Sequence, residues 1–325
     1  MPNVRRSRHG SLQFWPRAKA KRIYPRLRSK PQTKDTKLIG FLGYKVGMTH
    51  LTILDPNKNS LTKNQPIFCP VTILECPPLK AASVRFYKDT VYGLKAISQI
   101  SSKNFDKELA RIIDLPKKHK AQEPKLEDVA EVRLLVYTQP KLTGIGKKKP
   151  DLLELLISGG DIKSRVEYAK ALLDKEIKIS EVFKEGQLVD IHAVTKGKGF
   201  SGTVKKFGVD IRQHKSEKTK RGAGSLGPWT PKRVSFRAIQ AGKFGYHTRT
   251  EYNKWFIKIG TNPKEVNPKG GFLHYGLIKN DYVILKGSVP GPAKRPVEIT
   301  EPIRAPKSMQ LLVPQIKYVS TESKQ

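Results

Sequence analysis

Three glycines at the spacing of a nucleotide-binding loop are the first residues in this sequence that could do chemistry. Gly222, Gly224 and Gly227 spell G-x-G-x-x-G. In a dinucleotide site this pattern follows a buried strand and opens a helix, so that the pyrophosphate lies on the helix N-terminus. Here the basic run KSEKTKR precedes the glycines and Pro-Trp-Thr-Pro follows them. They are better interpreted as positions where a second backbone can approach closely.

Acid–base and metal chemistry have even less support in the sequence. His214 and His247 lie among basic residues, and neither has a carboxylate or a nucleophile at a telling spacing. Zinc-protease, P-loop and nucleophile-elbow patterns do not occur. Cys69 and Cys76 have no second Cys or His pair at zinc-finger spacing, which predicts two reduced thiols. We therefore expect no catalytic site, no cofactor, no metal and no small-molecule substrate.

The net charge indicates the kind of partner. The 325 residues include 63 Lys and Arg against 28 Asp and Glu, a formal charge of +35. Residues 101–190 are nearly neutral, with 18 basic and 16 acidic side chains, whereas residues 191–260 hold 16 basic and 3 acidic ones. Such a surface is complementary to a polyanion, which favours nucleic acid over an anionic membrane. Because no apolar run approaches the roughly 18 to 20 residues of a membrane span, we expect a cytoplasmic protein.

The basic stretch at residues 196–249 has too few large apolar side chains to form a core of its own. Trp229 lies there between two prolines, among Gly, Thr, Lys and Arg, so we expect it to stack on a base. Trp255, in the alternating run YNKWFIKIG, is instead expected in the core.

A second basic segment forms the N-terminus. Residues 1–37 contain twelve Lys and Arg against the single acid Asp35, with four prolines and with Phe14, Trp15 and Tyr24 interleaved among the charges. This composition is typical of an arm that becomes ordered along phosphates, and a solvated tail is the alternative.

The rest of the chain predicts a mainly β fold with an α+β insertion. Residues 38–55 indicate a strand, a turn and a second strand, with Gly43 and Gly47 where the backbone must bend or be approached closely. Further strand patterns occur at residues 70–76, 82–87, 90–97, 131–139, 187–195, 252–260, 281–289 and 310–319. Residues 105–115 could form a short helix, and Asp161 could cap another. We divide the chain into an arm (1–37), a first barrel part (38–100), an α+β insertion (101–186), a barrel strand (187–206), a basic loop (207–249) and a second barrel part with the C-terminus (250–325).

Five segments in order along the chain resemble the ribosomal protein L3 (uL3) family of the large subunit. They are GFLGYKVGMTHL (40–51), VTILECPP (71–78), VDIHAVTKGKGFSGTVKKFG (189–208), GSLGPWTPKRV (224–234) and GYHTRTEYNK (245–254). The length, the basic arm and the middle insertion resemble the archaeal and eukaryotic branch. The absence of the longer eukaryotic tail favours the archaeal type.

The resemblance implies a fold and a function. It implies a translation-protein-type β-barrel on the subunit surface, with the arm and the internal loop threading into large-subunit (23S-type) rRNA towards the peptidyl transferase centre. It further implies that the protein nucleates early subunit assembly, supports the tRNA accommodation region, contacts neighbouring ribosomal proteins and performs no chemistry. Trp229 matches the tryptophan at the family's loop tip. The eukaryotic methylated histidine falls at Glu217 here, so this modification is not carried over.

The residues expected to contact rRNA are basic and aromatic side chains of the arm and the loop, together with glycines that allow close approach. The side chains are Arg5, Arg6, Arg8, Trp15, Lys19, Arg22, Lys196, Lys198, Lys205, Lys206, Arg212, His214, Lys215, Lys218, Lys220, Arg221, Trp229, Lys232, Arg233, Arg237, Tyr246, His247 and Arg249. The glycines are Gly197, Gly199, Gly222, Gly224 and Gly227. An RNA-modifying enzyme with a basic cleft and a free-standing architectural DNA binder are the rival functions.

Overall fold

The structure is a computed structural model that describes residues 10–27, 31–57, 59–115, 124–306 and 312–322. Contacts divide the chain into two compact units. The smaller unit combines Met1–Arg22 with Val194–Thr248, and the larger unit combines Ile23–Ala193 with Arg249–Gln325. The predictions for Arg5, Arg6 and Arg8 lie outside the described residues.

Strands dominate the described residues, which confirms the mainly β prediction. The strands are β1 (Lys37–Leu38), β2 (Gly40–Leu54), β3 (Pro66–Glu75), β4 (Leu79–Thr90), β5 (Gly93–Ser101), β6 (Glu131–Tyr137), β7 (Leu152–Ser158), β8 (Glu176–Ile177), β9 (Leu188–Val194), β10 (Gly197–Ser201), β11 (Gly242–Gly245), β12 (Thr248–Gly260), β13 (Tyr282–Lys286), β14 (Pro296–Thr300) and β15 (Ile316–Val319). The helices are α1 (Ile162–Leu172), α2 (Ile179–Val182) and α3 (Thr203–Phe207), with 3-10 turns at Leu109–Arg111, Leu126–Asp128, Pro140–Leu142 and Pro263–Glu265.

Six strands of the larger unit close into a barrel. The hydrogen-bonded order is β14, β9, β12, β13, β3, β2, and β14 also pairs antiparallel with β2, which closes the ring. β15 pairs with the second half of β2, outside the ring. Closure removes the exposed edges that an open sheet would present to other chains. The barrel is therefore built by β2 and β3 from the first part of the chain and by β9, β12, β13 and β14 from the last part.

The long strand β2 pairs with three neighbours, β14, β3 and β15, and a glycine lies where its pairing with β3 is irregular. Its first half closes the barrel against β14, and its register with β3 shifts between Lys45 and Gly47. At Gly43, an added Cβ would lie 2.8 Å from the Cys76 sulfur and 3.2 Å from the Glu75 carbonyl oxygen. The sequence predicted a strand, a turn and a second strand here. The structure instead has one continuous strand, because a bulge at glycine bends the chain without breaking its pairing.

The barrel is filled by alternate residues of its strands. Phe41, Ile191, Val297 and Ile299 are fully buried, and each such side chain stabilises the fold by about 1.5 to 3 kcal/mol relative to an exposed position. The same apolar cluster continues into a second sheet and onto α1. The barrel and the second sheet therefore share one core.

The second sheet has the order β1, β7, β6, β4, β5, and β8 pairs with the start of β4. The sequence division placed residues 79–100 in the barrel, whereas β4 and β5 pair in this sheet. Alternation of apolar and polar residues predicts a strand but not its neighbour. Pro77 and Pro78 end the barrel strand β3, and the chain then joins the sheet that the 101–186 segment completes.

The helical predictions had mixed outcomes. α1 begins directly after Asp161, as expected, although the Asp161 side chain makes no capping hydrogen bond, and the helix buries Val166 and Ala169. Residues 105–115 contain only a 3-10 turn at Leu109–Arg111, not a helix. There, Asp106 accepts a hydrogen bond from the Tyr137 hydroxyl at 2.9 Å, and Leu109 packs against Tyr137. Tertiary contacts thus override a weak helical pattern.

Candidate nucleic-acid interface

The basic stretch at residues 196–249 begins and ends in a short antiparallel ladder within the smaller unit. β10 pairs with β11, and next to them the Thr195 amide donates to the His247 carbonyl at 3.0 Å. Gly245 has a φ of +72°, and an added Cβ would lie 2.1 Å from the Lys196 carbonyl oxygen. Because any other residue would collide with this backbone, glycine fixes how closely the two strands approach.

The N-terminal arm lies against this ladder. The Ala20 amide donates to the Tyr246 carbonyl at 2.8 Å. The imidazole of His247 is only 7% exposed, and its Nδ1 donates to the Ala18 carbonyl at 2.8 Å. The histidine predicted to touch RNA is thus engaged with the arm's own backbone, which favours a positioning role for it.

Aromatic and cationic side chains strengthen the contact of arm and loop. The Arg17 guanidinium lies 4.6 Å from the Phe207 ring centroid and 5.1 Å from that of Trp15. Trp15 meets Phe236 edge to face, with centroids 5.7 Å apart. Cation–π contacts of this kind contribute about 0.5 to 1 kcal/mol each at exposed sites. Trp15 is half-buried by these partners, so only part of its ring is available to another molecule.

Between α3 and β11, residues 208–241 contain no helix and no strand. A few hydrogen bonds hold this loop. The Arg212 amide donates to the Lys220 carbonyl at 3.0 Å, and the Arg212 guanidinium donates to the Ala223 carbonyl at 3.2 Å. The Thr203 hydroxyl donates to the Arg221 carbonyl at 3.1 Å. The loop therefore folds back on itself without the ladder or the core that would normally fix a segment of this length.

All eight Lys and Arg side chains of residues 208–241 are exposed, against two acids, Asp210 and Glu217. Like charges held this close repel one another in the free protein, and a bound polyanion relieves that repulsion. The eight cations are Arg212, Lys215, Lys218, Lys220, Arg221, Lys232, Arg233 and Arg237.

Trp229 is 84% exposed, as its polar surroundings predicted. Its carbonyl accepts a hydrogen bond from the Lys232 amide at 2.9 Å, which forms a turn. The Lys232 ammonium lies 5.9 Å from the indole centroid. An exposed indole beside a cation can stack on a base while the cation contacts a phosphate.

The predicted close-approach glycines differ in how much space surrounds them. At Gly199, Gly224 and Gly227, no atom of the chain lies within 4 Å of where a Cβ would be. Gly222 faces the Thr219 side chain at 3.3 Å, and Gly197 faces Tyr246 at 3.6 Å. The first three positions thus leave room for another molecule, and their role stays a prediction.

The other predicted residues fall into two groups. Lys206 and Arg249 are half-buried, and burial lowers the pKa of each, with the nearby Arg17 charge lowering that of Lys206 further. Tyr246 is also half-buried, with the Lys19 ammonium 5.5 Å from its ring. The remaining side chains are exposed: Lys19, Arg22, Lys196, Lys198, Lys205 and His214.

Sequence reasoning missed several side chains of this surface. Phe200 is 80% exposed and Phe236 is 63% exposed, although both are large apolar residues. Lys243 is exposed on β11, and Arg17 joins the arm to the loop. A usable signal was present for Phe200 and Phe236, because each follows Lys, Arg, Gly or Ser residues without any apolar periodicity.

Among the described residues, no group of three or more His, Cys, Asp or Glu side chains could hold a metal ion. Cys69 and Cys76 are free and buried, and burial raises the pKa of both thiols. Across the part of the chain that the structure describes, no helix is long and apolar enough to cross a membrane.

The larger unit is a closed β-barrel, and the smaller unit is cationic with few buried apolar side chains in its described part. These features define a class of scaffold protein whose charged surface is complementary to a polyanion. The sequence model of the family "Ribosomal protein L3" matches residues 1–325. The chain belongs to the ribosomal protein L3 family, which confirms the resemblance seen in the sequence. Proteins of this family are structural components of the ribosome's large subunit, not enzymes, and this chain shares that structural role and ribosomal location.

Archaeal relatives match almost from end to end. The "Large ribosomal subunit protein uL3" of Methanococcus aeolicus is 47% identical over 326 residues, covering 98% of both chains. The protein of the same name from Methanocaldococcus jannaschii is 48% identical over 334 residues, covering 99% of this chain and 98% of the relative. That of Archaeoglobus fulgidus is 48% identical over 332 residues, covering 98% of both.

Proposed function

We propose that the chain binds large-subunit rRNA through its smaller unit, nucleates early subunit assembly and supports the region near the peptidyl transferase centre with the tip of its loop. One observation carries the binding proposal: residues 208–241 expose all eight of their cations and form no helix or strand. A segment of this kind gains order when phosphates neutralise its charges. Neighbouring ribosomal proteins are further proposed partners.

The docked arm adds to this proposal. Because Ala18 and Ala20 hydrogen-bond with His247 and Tyr246, the arm and the loop form one cationic surface. A surface that is already assembled loses less conformational entropy when it binds than two separate disordered segments would. Exposed aromatic rings, with Trp229 foremost, can stack on unpaired bases, while the cations contact the RNA backbone.

Counterion release provides the test. Each phosphate contact should contribute about 0.7 to 0.9 to the slope of log K against log salt concentration. The double variant Lys220→Gln with Arg221→Gln should therefore lower that slope by about 1.4 to 1.8 when full-length chain is titrated with large-subunit rRNA. The matched control is Lys163→Gln with Lys175→Gln, which removes two exposed charges from the nearly neutral middle of the chain.

A flat salt titration, or an equal loss of slope in both double variants, would contradict rRNA binding by the loop. Sedimentation of a cell lysate adds an independent readout. A structural rRNA-binding protein migrates with the large subunit through moderate salt. A free-standing DNA binder would not, and an RNA-modifying enzyme would turn over RNA fragments with a dependence on His214.

A further inference from the structure

A concave site of the larger unit lies outside the arm and the loop. It has a volume of about 460 Å³, within the range of small-ligand sites, and it opens beside the barrel strands β12 and β13. Its described lining is aromatic, basic or neutral and includes no carboxylate. The lining residues include Tyr252, Lys254, Trp255, Lys286 and Leu312.

Two aromatic side chains of β12 give the cavity a stacking surface. The Trp255 indole is partly buried, and its Nε1 donates to the Leu312 carbonyl at 3.2 Å, which fixes the ring. Tyr252 is 43% exposed, and the Arg304 guanidinium lies 4.8 Å from its ring centroid. The sequence predicted that Trp255 lies in the core. In the structure it packs against the core and also lines the cavity.

The charge around the cavity is positive. The Lys286 ammonium lies 5.4 Å from the Trp255 ring centroid, and among the described residues it forms no ion pair. Lys254 also lines the cavity and pairs with Glu251 at 2.5 Å, so Lys286 is the cation available to an incoming anion. Two aromatic rings, together with a cation that forms no ion pair among the described residues, are suited to a base joined to a phosphate.

We propose that this cavity takes one unpaired nucleotide of large-subunit rRNA, with the base on Trp255 and Tyr252 and the phosphate at Lys286. The barrel would then make an RNA contact of its own, in addition to the smaller unit. This inference rests on the proposed rRNA binding for the identity of its ligand. An acidic protein segment is less suited to the site, because its carboxylates would leave the aromatic surface unused.

Photo-crosslinking of full-length chain to a short oligoadenylate, followed by mass mapping of the adducts, tests the proposal. We expect a nucleotide adduct on the peptide that carries Tyr252 and Trp255, and a separate one on the loop peptide with Trp229. Tyr252→Ala should reduce the cavity adduct about tenfold, the loss typical of one stacked base. The fully exposed Tyr92 provides the control Tyr92→Ala, which should leave the cavity adduct unchanged.

A charge pair of variants tests the phosphate contact. Lys286→Gln should weaken the cavity adduct and lower its salt slope by about 0.7, the contribution of one phosphate on a single strand. Lys264→Gln removes an equal charge from an exposed position outside the cavity and should have no effect on this adduct. Because Tyr252 and Lys286 are both solvent-exposed, we expect each variant to fold. A circular dichroism melt checks this.

The outcomes separate this inference from the proposed function. A loop adduct without a cavity adduct would overturn the inference and leave rRNA binding by the loop intact. The inference would also be overturned if the control variants Tyr92→Ala or Lys264→Gln reduced the cavity adduct as much as Tyr252→Ala or Lys286→Gln does. If the wild-type chain formed neither the loop adduct nor the cavity adduct, this result would contradict the proposed function itself.

Discussion

Replacing His247 by alanine should release the N-terminal arm. The variant loses the hydrogen bond from Nδ1 to the Ala18 carbonyl, and it loses a ring that is only 7% exposed. A hydrogen bond contributes about 0.5 to 1.5 kcal/mol, and the lost packing adds to that. We expect the free energy of arm opening to fall by about 1 to 2 kcal/mol, which raises the open population roughly 5- to 30-fold.

Amide hydrogen exchange measures this opening directly. The Ala20 amide donates to the Tyr246 carbonyl, so its exchange rate reports whether the arm is docked. In His247→Ala this amide should exchange about 5 to 30 times faster, while amides of the barrel strands keep their rates. His214→Ala is the matched control, since His214 is an exposed histidine of the same loop.

Two results would refute the reasoning. One is an Ala20 amide that exchanges freely in the wild-type chain, because the arm would then not be docked. The other is an unchanged Ala20 rate in His247→Ala, because the histidine would then not hold the arm. An equal acceleration in His214→Ala would point to a general effect of charge in the loop.

Three further predictions concern stability. Trp229→Ala should change the free energy of unfolding by no more than about 0.5 kcal/mol in a denaturant titration, because the indole is exposed; a larger loss would place Trp229 in the core. Gly245→Ala should destabilise by more than about 1 kcal/mol, since its φ is +72° and its Cβ would meet the Lys196 carbonyl, whereas Gly224→Ala has open space and should be neutral. Burial lowers the pKa of His192 from 6.5 to about 4, so the unfolded chain binds the proton more tightly than the folded chain does. The free energy of unfolding therefore falls as the pH drops from 6.5 towards 4. His192→Gln should lessen this fall, as measured by thermal melts over a pH series.

The sequence predicted five of the six barrel strands, β2, β3, β9, β12 and β13, because each alternates or is continuously apolar. It did not predict β14, the short strand that closes the barrel against β2. β9, β12 and β13 were found near their observed bounds. The placement of β4 and β5 was not predictable, since a strand pattern holds no information about which neighbour supplies the next row of hydrogen bonds. The short helix expected near Leu109 failed because contacts with Tyr137 decided that segment.

The site shows the same division. Charge and composition alone predicted that residues 196–249 lack a core and that Trp229 is exposed, and the structure has both features. His247 could not be assigned from its neighbours, because its partner, Ala18, lies 229 residues away in sequence. The cavity lined by Trp255 and Lys286 was hidden for the same reason, as its walls come from distant parts of the chain.

The sequence by itself determined the sign and location of the charge, the family and the β character of the fold, because these depend on residue types and on local spacing. Only the tertiary structure decided how the barrel closes through β2 and β14, and which basic and aromatic side chains point to solvent. It also decided that the arm docks on the ladder through His247. These features arise from contacts between residues far apart in the chain, where the free energy of packing, rather than local pattern, selects the partner.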